Sequence, residues 1–238
     1  LRVEVDLQPG QERTIVFTLG AAEDGKEDAA ALIRRFTSAQ AATETLQAVE
    51  RFWARFLDAE QVQTPDLALN YMTNVWSKYQ AISCRLWGKS AFYQVSAGYG
   101  FRDQLQDSQI FLESAPEETR RQLLLHAAQQ FIEGDVLHWW FSIRGGGPRT
   151  HCSDDLLWLP FILDAYLQET ADFAILDEMV PYLNGPAEPL YLHCKRAIEL
   201  SFRRFSPRGV PLMGDHDWND GDRKSTRLNS RHRIRSRM

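Results

Sequence analysis

From Asp28 to Phe205 the chain carries one helical pattern after another and no strand pattern between them, which leaves few folds open to it. Asp28–Leu57 places Leu32, Phe36, Leu46, Val49, Phe52, Trp53, Phe56 and Leu57 at helical spacing. Thr64-Pro65-Asp66 is a helix-start signal for Leu67–Trp87. Ser114-Ala115-Pro116 starts a helix reaching about Ile132 and stopping at Gly134. Ser153 can cap a helix that begins Asp154-Asp155 and runs to about Glu169, with its acids in the first turn. A short helix is predicted for Asp172–Leu183, and a last one for Leu190–Phe205, ended by Pro207 and Gly209. Before these, Val3, Val5 and Leu7 alternate on one side of Pro9-Gly10, and Ile15, Phe17 and Leu19 on the other. This reads as two strands. The predicted fold class is mainly α: the last strands of a β-domain, then roughly six helices with site-bearing loops, as in an α/α toroid.

The 238 residues are 44% apolar, enough for a substantial core. The formal charge of −5 hides two populations. Asp222–Met238 holds six Arg and one Lys against one Asp, so residues 1–221 alone carry −11. An acidic body argues against nucleic-acid binding, which needs clustered Lys and Arg. The basic tail lacks aromatics and helical periodicity and reads as foreign to the fold. Leu1 likewise reads as a cut from a longer chain. Cys84, Cys152 and Cys194 are widely spaced and odd in number, so neither a disulfide framework nor a zinc site is indicated and a cytoplasmic setting is expected. No apolar run is long enough for a membrane span.

Three segments are rich in Gly, aromatics and charge: Tyr99–Asp107, Gly134–Thr150 and Val210–Gly221. All three read as loops. The first offers Arg102, Asp103, Gln104, Gln106 and Asp107, which could satisfy sugar hydroxyls or form an ion pair at a helix start. In the second, adjacent Trp139 and Trp140 cannot both face one core. One can be a flat platform for a pyranose face, or both can pack between helices. Gly145-Gly146-Gly147 with flanking Arg does not match the phosphate loop. The third holds Asp215, Asp217, Trp218, Asn219 and Asp220. A carboxylic acid against an aromatic wall has its pKa raised, as a general acid requires. A Ca²⁺ loop and a plain acidic turn are the alternatives, the former weakened by the bulky Trp and the lack of a Glu at the twelfth position. His126 and His193, mid-helix and without an i+4 partner, read as interfacial or core residues rather than ligands.

Taken in order, Gly-Phe-Arg-Asp-Gln-Leu-Gln-Asp (100–107), Ser-Asp-Asp-Leu-Leu-Trp-Leu-Pro (153–160) and Asp-Trp-Asn-Asp-Gly (217–221) resemble glycoside hydrolase family 94, the inverting β-glycoside phosphorylases. Residues 90–94 and 133–140 are most similar to the phosphorylase-like domain of cyclic β-1,2-glucan synthases, although Lys89 and Phe141-Ser142 depart from that pattern. The resemblance implies the last strands of a β-sandwich over residues 1–22, a helical linker over 23–62, the first half of an (α/α)6 barrel over 63–221 and a non-native-looking tail over 222–238. It implies Asp220 as general acid, with Arg102, Asp107 and Trp218 at the donor sugar. Asp103, Gln106, Asp154, Asp155 and Trp140 complete the candidate substrate-binding set.

The implied nucleophile is inorganic phosphate, attacking the anomeric carbon with inversion, so neither a second catalytic carboxylate, a cofactor nor a metal is required. The implied partners are phosphate and a β-glucan, with β-1,2 as the expected linkage. The full-length parent is expected to be a possible homodimer, tethered to the inner membrane through segments outside this chain, and the isolated fragment is expected to be inactive. An inverting hydrolase using water and a non-catalytic carbohydrate-binding domain are the alternatives.

Overall fold

The computed structural model describes residues 2–20, 26–88, 90–91, 94–95, 98–141 and 145–217. The chain divides into two units, Leu1–Arg55 and Phe56–Met238. In the first, the Pro9-Gly10 turn forms, with Gly10 at φ +83° and Gln11 N–H donating to Gln8 O at 2.9 Å. Its flanks form no strand among the described residues, and Val3, Leu7, Phe17 and Leu19 are exposed. Two short strands without a third or a packed face are marginal, which accounts for the departure from the alternating pattern. The helical run predicted from Asp28 is two helices, α1 (Lys26–Phe36) and α2 (Ala39–Leu57). Ser38 breaks it, its Oγ accepting from Ala41 N–H at 3.0 Å as an N-cap.

In the second unit, Asp66 opens a continuous helical rod as predicted, its Oδ1 accepting from Ala68 N–H at 2.9 Å and Leu69 N–H at 3.2 Å. The rod comprises α3 (Leu67–Tyr71), a π segment (Met72–Trp76), α4 (Ser77–Tyr79) and a second π segment (Gln80–Trp87). Next come a two-stranded ladder, β1 (Ser90–Ala91) with β2 (Gln94–Val95), and β3 (Gly98–Gly100). The segment predicted as the first loop is instead α5 (Phe101–Asp107). Phe101, Gln104, Leu105 and Ser108, at helical spacing, are all buried, and that stripe outweighs the polar residues between them. Helix α6 (Pro116–Ala127) starts with Pro116 in its first turn and ends short of the predicted Ile132.

The second predicted loop contains β4 (Trp139–Phe141), antiparallel to β3 with Tyr99 opposite Trp140. Helix α7 (Asp155–Thr170) follows. The helix predicted over Asp172–Leu183 is a 3-10 turn (Phe173–Asp177) and then β5 (Met179–Pro181), paired with β6 (Ala187–Pro189). Pro181 and Pro186 cannot donate backbone hydrogen bonds to a helix there. The chain then forms α8 (Leu190–Arg203). Among its described residues the unit is thus mainly helical, with three short antiparallel ladders between its helices. Strands of two or three residues are too short to leave a period-two signal. Among the described residues no helix is long and apolar enough to cross a membrane.

Helices α5, α6, α7 and α8 enclose a core of Phe101, Leu105, Leu123, Trp140, Leu159, Ile162 and Leu190. His126 and His193 lie fully inside it, in agreement with their sequence reading. The His126 ring meets Trp140 edge-on at 4.9 Å, and its Nδ1 faces Gln122 O at 2.7 Å. Burial lowers its pKa to about 4. The unfolded chain therefore takes up a proton near pH 6.5 that the native state refuses until about pH 4. Stability should be retained above pH 6.5 and fall as the pH drops toward 4, by on the order of 3 kcal/mol. Urea midpoints between pH 7 and 4.5 test this, and His126→Gln should flatten that slope.

Candidate functional site

The site is built at the N-terminus of α7. Acids at a helix start are favoured by the unpaired N–H groups and the dipole there. Asp154 is the N-cap and Asp155 the first helical residue. Across from them, in the first turn of α5, stands Arg102. Its Nη1 lies 3.0 Å from Asp154 Oδ1, 3.8 Å from Asp155 Oδ1 and 3.5 Å from Cys152 Sγ. The Arg102 side chain is 11% exposed and that of Asp155 2%. Burial would weaken the charge on Arg102, but the two carboxylates outweigh it and its pKa is raised. Trp158 Nε1 donates to Asp154 Oδ2 at 3.3 Å.

His138 precedes β4 and is fixed by its main chain. Its N–H donates to Pro148 O and its carbonyl accepts from Phe101 N–H, both at 3.0 Å. Its Nδ1 lies 2.6 Å from Asp155 Oδ2. That hydrogen bond raises the His138 pKa against the opposing effect of burial.

The third segment is fastened to the same place. Asp217 Oδ1 accepts from Ser153 N–H at 2.7 Å and Ser153 Oγ at 3.0 Å, and Oδ2 accepts from Gly214 N–H at 2.7 Å. Asp215 Oδ1 accepts from His151 N–H at 2.5 Å. A Cβ on Gly214 would lie 1.7 Å from His151 O, so only glycine permits this approach. Burial pushes the Asp217 carboxyl up, but the N–H groups of Ser153 and Gly214 outweigh it and the pKa is lowered. Asp217 is therefore an ionised anchor. Ser153, predicted to cap α7, instead spends its donors on Asp217. The Asp215 and Asp217 carboxylates both accept main-chain N–H bonds. Trp218 and Asp220 lie outside the described residues.

The remaining candidates divide. Asp103 and Asp107, one turn apart on α5, face Arg85: Arg85 Nε is 2.7 Å from Asp107 Oδ2 and Nη2 is 3.5 Å from Asp103 Oδ1. Burial raises the Asp107 pKa, and Arg85 offsets part of that rise. Gln106 is exposed. Trp140, proposed as the sugar platform, is 3% exposed and stacks on Tyr99 inside the core, whereas Trp139 is 38% exposed. Strand alternation decides this, since neighbours in β4 point to opposite faces. Sequence reasoning missed Arg85, Cys152 and the anchoring roles of Asp217 and Ser153. The partners are far apart in the chain, and no spacing rule would have found them.

Beside Ser153 and Asp154 lies an open pocket of about 350 Å³, lined also by Leu157, Ile198, Phe202, Arg204 and Leu212. One wall is polar and the others largely apolar. That combination suits a ligand with hydroxyl edges and C–H faces.

Residues 52–230 match the family model described as the Glycosyl hydrolase 94 superfamily, catalytic domain. The chain is 40% identical over 239 residues to cyclic beta-(1,2)-glucan synthase NdvB of Rhizobium meliloti (strain 1021), covering 93% of this chain and 8% of that protein. It is 33% identical over 224 residues to solabiose phosphorylase of Paenibacillus borealis, covering 90% and 26% respectively. With N,N'-diacetylchitobiose phosphorylase of Vibrio proteolyticus it shares 28% over 248 residues, covering 92% and 31%. The chain thus spans less than a third of the length of each of these relatives.

Proposed function

This chain belongs to the glycosyl hydrolase 94 superfamily, and we propose that it forms part of the catalytic domain of an inverting phosphorylase acting on β-linked glucan, with β-1,2 as the linkage. The observation that carries this reading is the fastening of Asp217 to Ser153, beside the Arg102–Asp154 pair. It draws the three sequence segments into one polar cluster.

Each group then takes a role. Arg102 is held charged by Asp154 and Asp155 and offers donors to sugar hydroxyls; the carboxylate oxygens accept from them. Asp103 and Asp107, oriented by Arg85, supply further acceptors on the same helix. Asp217 is unsuited to proton donation, because its pKa is lowered and both its oxygens are engaged. The resemblance to glycoside hydrolase family 94 assigns the general acid to Asp220, three residues on, with Trp218 at the donor sugar. Asp220 protonates the bridging oxygen while inorganic phosphate attacks the anomeric carbon from the opposite face, giving an α-sugar 1-phosphate.

Incubation of the full-length parent, rather than this fragment alone, with β-1,2-glucan and inorganic phosphate should release α-glucose 1-phosphate. Asp220→Asn should lower turnover by roughly 10²–10⁴-fold while leaving glucan binding intact. Glucose release that does not depend on phosphate would replace this reading with hydrolysis. Binding unaccompanied by any turnover in the unsubstituted full-length parent would replace it with a carbohydrate-binding role.

A further inference from the structure

We propose that His138, Cys152 and Asp155 form a binding site for a borderline-soft divalent cation, Zn²⁺ or Co²⁺, which would draw the Asp155 carboxylate away from Arg102. The inference goes beyond the function proposed above and does not depend on it. Each residue offers one donor atom, a ring nitrogen, a thiol sulfur and a carboxylate oxygen, and these lie within 4.8 Å of one another. Zn²⁺ takes such mixed sets tetrahedrally at bond lengths that put neighbouring donors roughly 3.5 Å apart. Opening the 2.6 Å His138–Asp155 hydrogen bond by about 1 Å gives that spacing. Water can complete the tetrahedron. Cys152, Asp154 and Asp217 form a second set that shares the same sulfur.

An independent feature points the same way. Asp155 Oδ1 is buried and accepts no hydrogen bond, on a side chain only 2% exposed. An unsatisfied buried carboxylate oxygen is costly, and a cation satisfies it. Charge agrees: two carboxylates, Asp154 and Asp155, face the one Arg102 guanidinium. The donors are also held in place, His138 by its two main-chain hydrogen bonds and Asp155 by α7. On binding, the thiol proton passes to solvent as the sulfur–metal bond forms, and His138 binds as neutral imidazole, so complexation releases protons.

The test is a Co²⁺ titration of the reduced chain carrying Cys84→Ser and Cys194→Ser, which leaves Cys152 as its one thiol. One equivalent should bind, with thiolate-to-cobalt charge-transfer absorption in the near ultraviolet, and Zn²⁺ should displace it. His138→Gln should weaken binding by about tenfold or more. If the doubly substituted chain fails to fold by circular dichroism, the absorption is measured in Cys84→Ser alone and compared with Cys84→Ser/Cys152→Ser. Absence of sulfur-to-cobalt absorption in the folded protein, or absorption unchanged by His138→Gln or by loss of Cys152, overturns the site.

Discussion

Replacing Arg102 with methionine should cost this chain about 3–5 kcal/mol of folding stability. The guanidinium is nearly buried, and it lies between two carboxylates at the start of α7. Removing it leaves Asp155, buried at 2% exposure, and Asp154, 32% exposed, facing each other's charge without the guanidinium between them. The helix dipole returns at most about 1–2 kcal/mol of that. His138 compensates only Asp155, through its 2.6 Å hydrogen bond. Neutralising one acid should therefore rescue the variant: Arg102→Met with Asp154→Asn should be less destabilised than Arg102→Met alone. That is non-additivity of the kind expected for groups in one network. Arg102→Lys should fall between wild type and Arg102→Met, because an ammonium keeps the charge but cannot hold two acids with a planar fork. Urea unfolding of the three variants at neutral pH measures this. An Arg102→Met midpoint within about 0.5 kcal/mol of wild type would mean that the pair contributes little, as at an exposed site.

What the sequence made legible was local. Asp66 caps α3 within three residues of itself, and Pro116 fits the first turn of α6, so both starts could be read directly. The core histidines could be read because neither had a helical partner. Helix α5 was missed because Gly100 and the charged residues after it resemble a loop, whereas Phe101, Gln104, Leu105 and Ser108 carry the deciding stripe. The functional segments were visible as clusters of residue types, but their pairing was not. Arg102 meets Asp154 across 52 residues and Ser153 meets Asp217 across 64. Such contacts exist only once α5 and α7 have packed, and the pairing of β3 with β4 fixes His138 only then. The same holds for the two tryptophans, whose sides are set by a ladder too short to show in the sequence.

Trp140→Ala should destabilise the protein by about 3–5 kcal/mol, the range for deleting a buried large aromatic. Trp139→Ala, on the exposed face of β4, should cost under about 1 kcal/mol. The indole of Trp140 stacks on Tyr99 with centroids 5.4 Å apart and meets His126 edge-on at 4.9 Å and Phe101 at 6.4 Å. Its removal opens a void between β3, α5 and α6 that none of these elements can close without leaving its own partners. Water admitted there would also hydrate His126. Its pKa should then climb from about 4 toward the ordinary histidine value, and the loss of stability between pH 6.5 and 4 should shrink. The two effects have one cause and should appear together in the same urea series. Glucan affinity separates this core role from that of a sugar platform. If Trp140→Ala abolished glucan binding while leaving both the midpoint and its pH dependence unchanged, the indole would belong to the ligand site rather than the core.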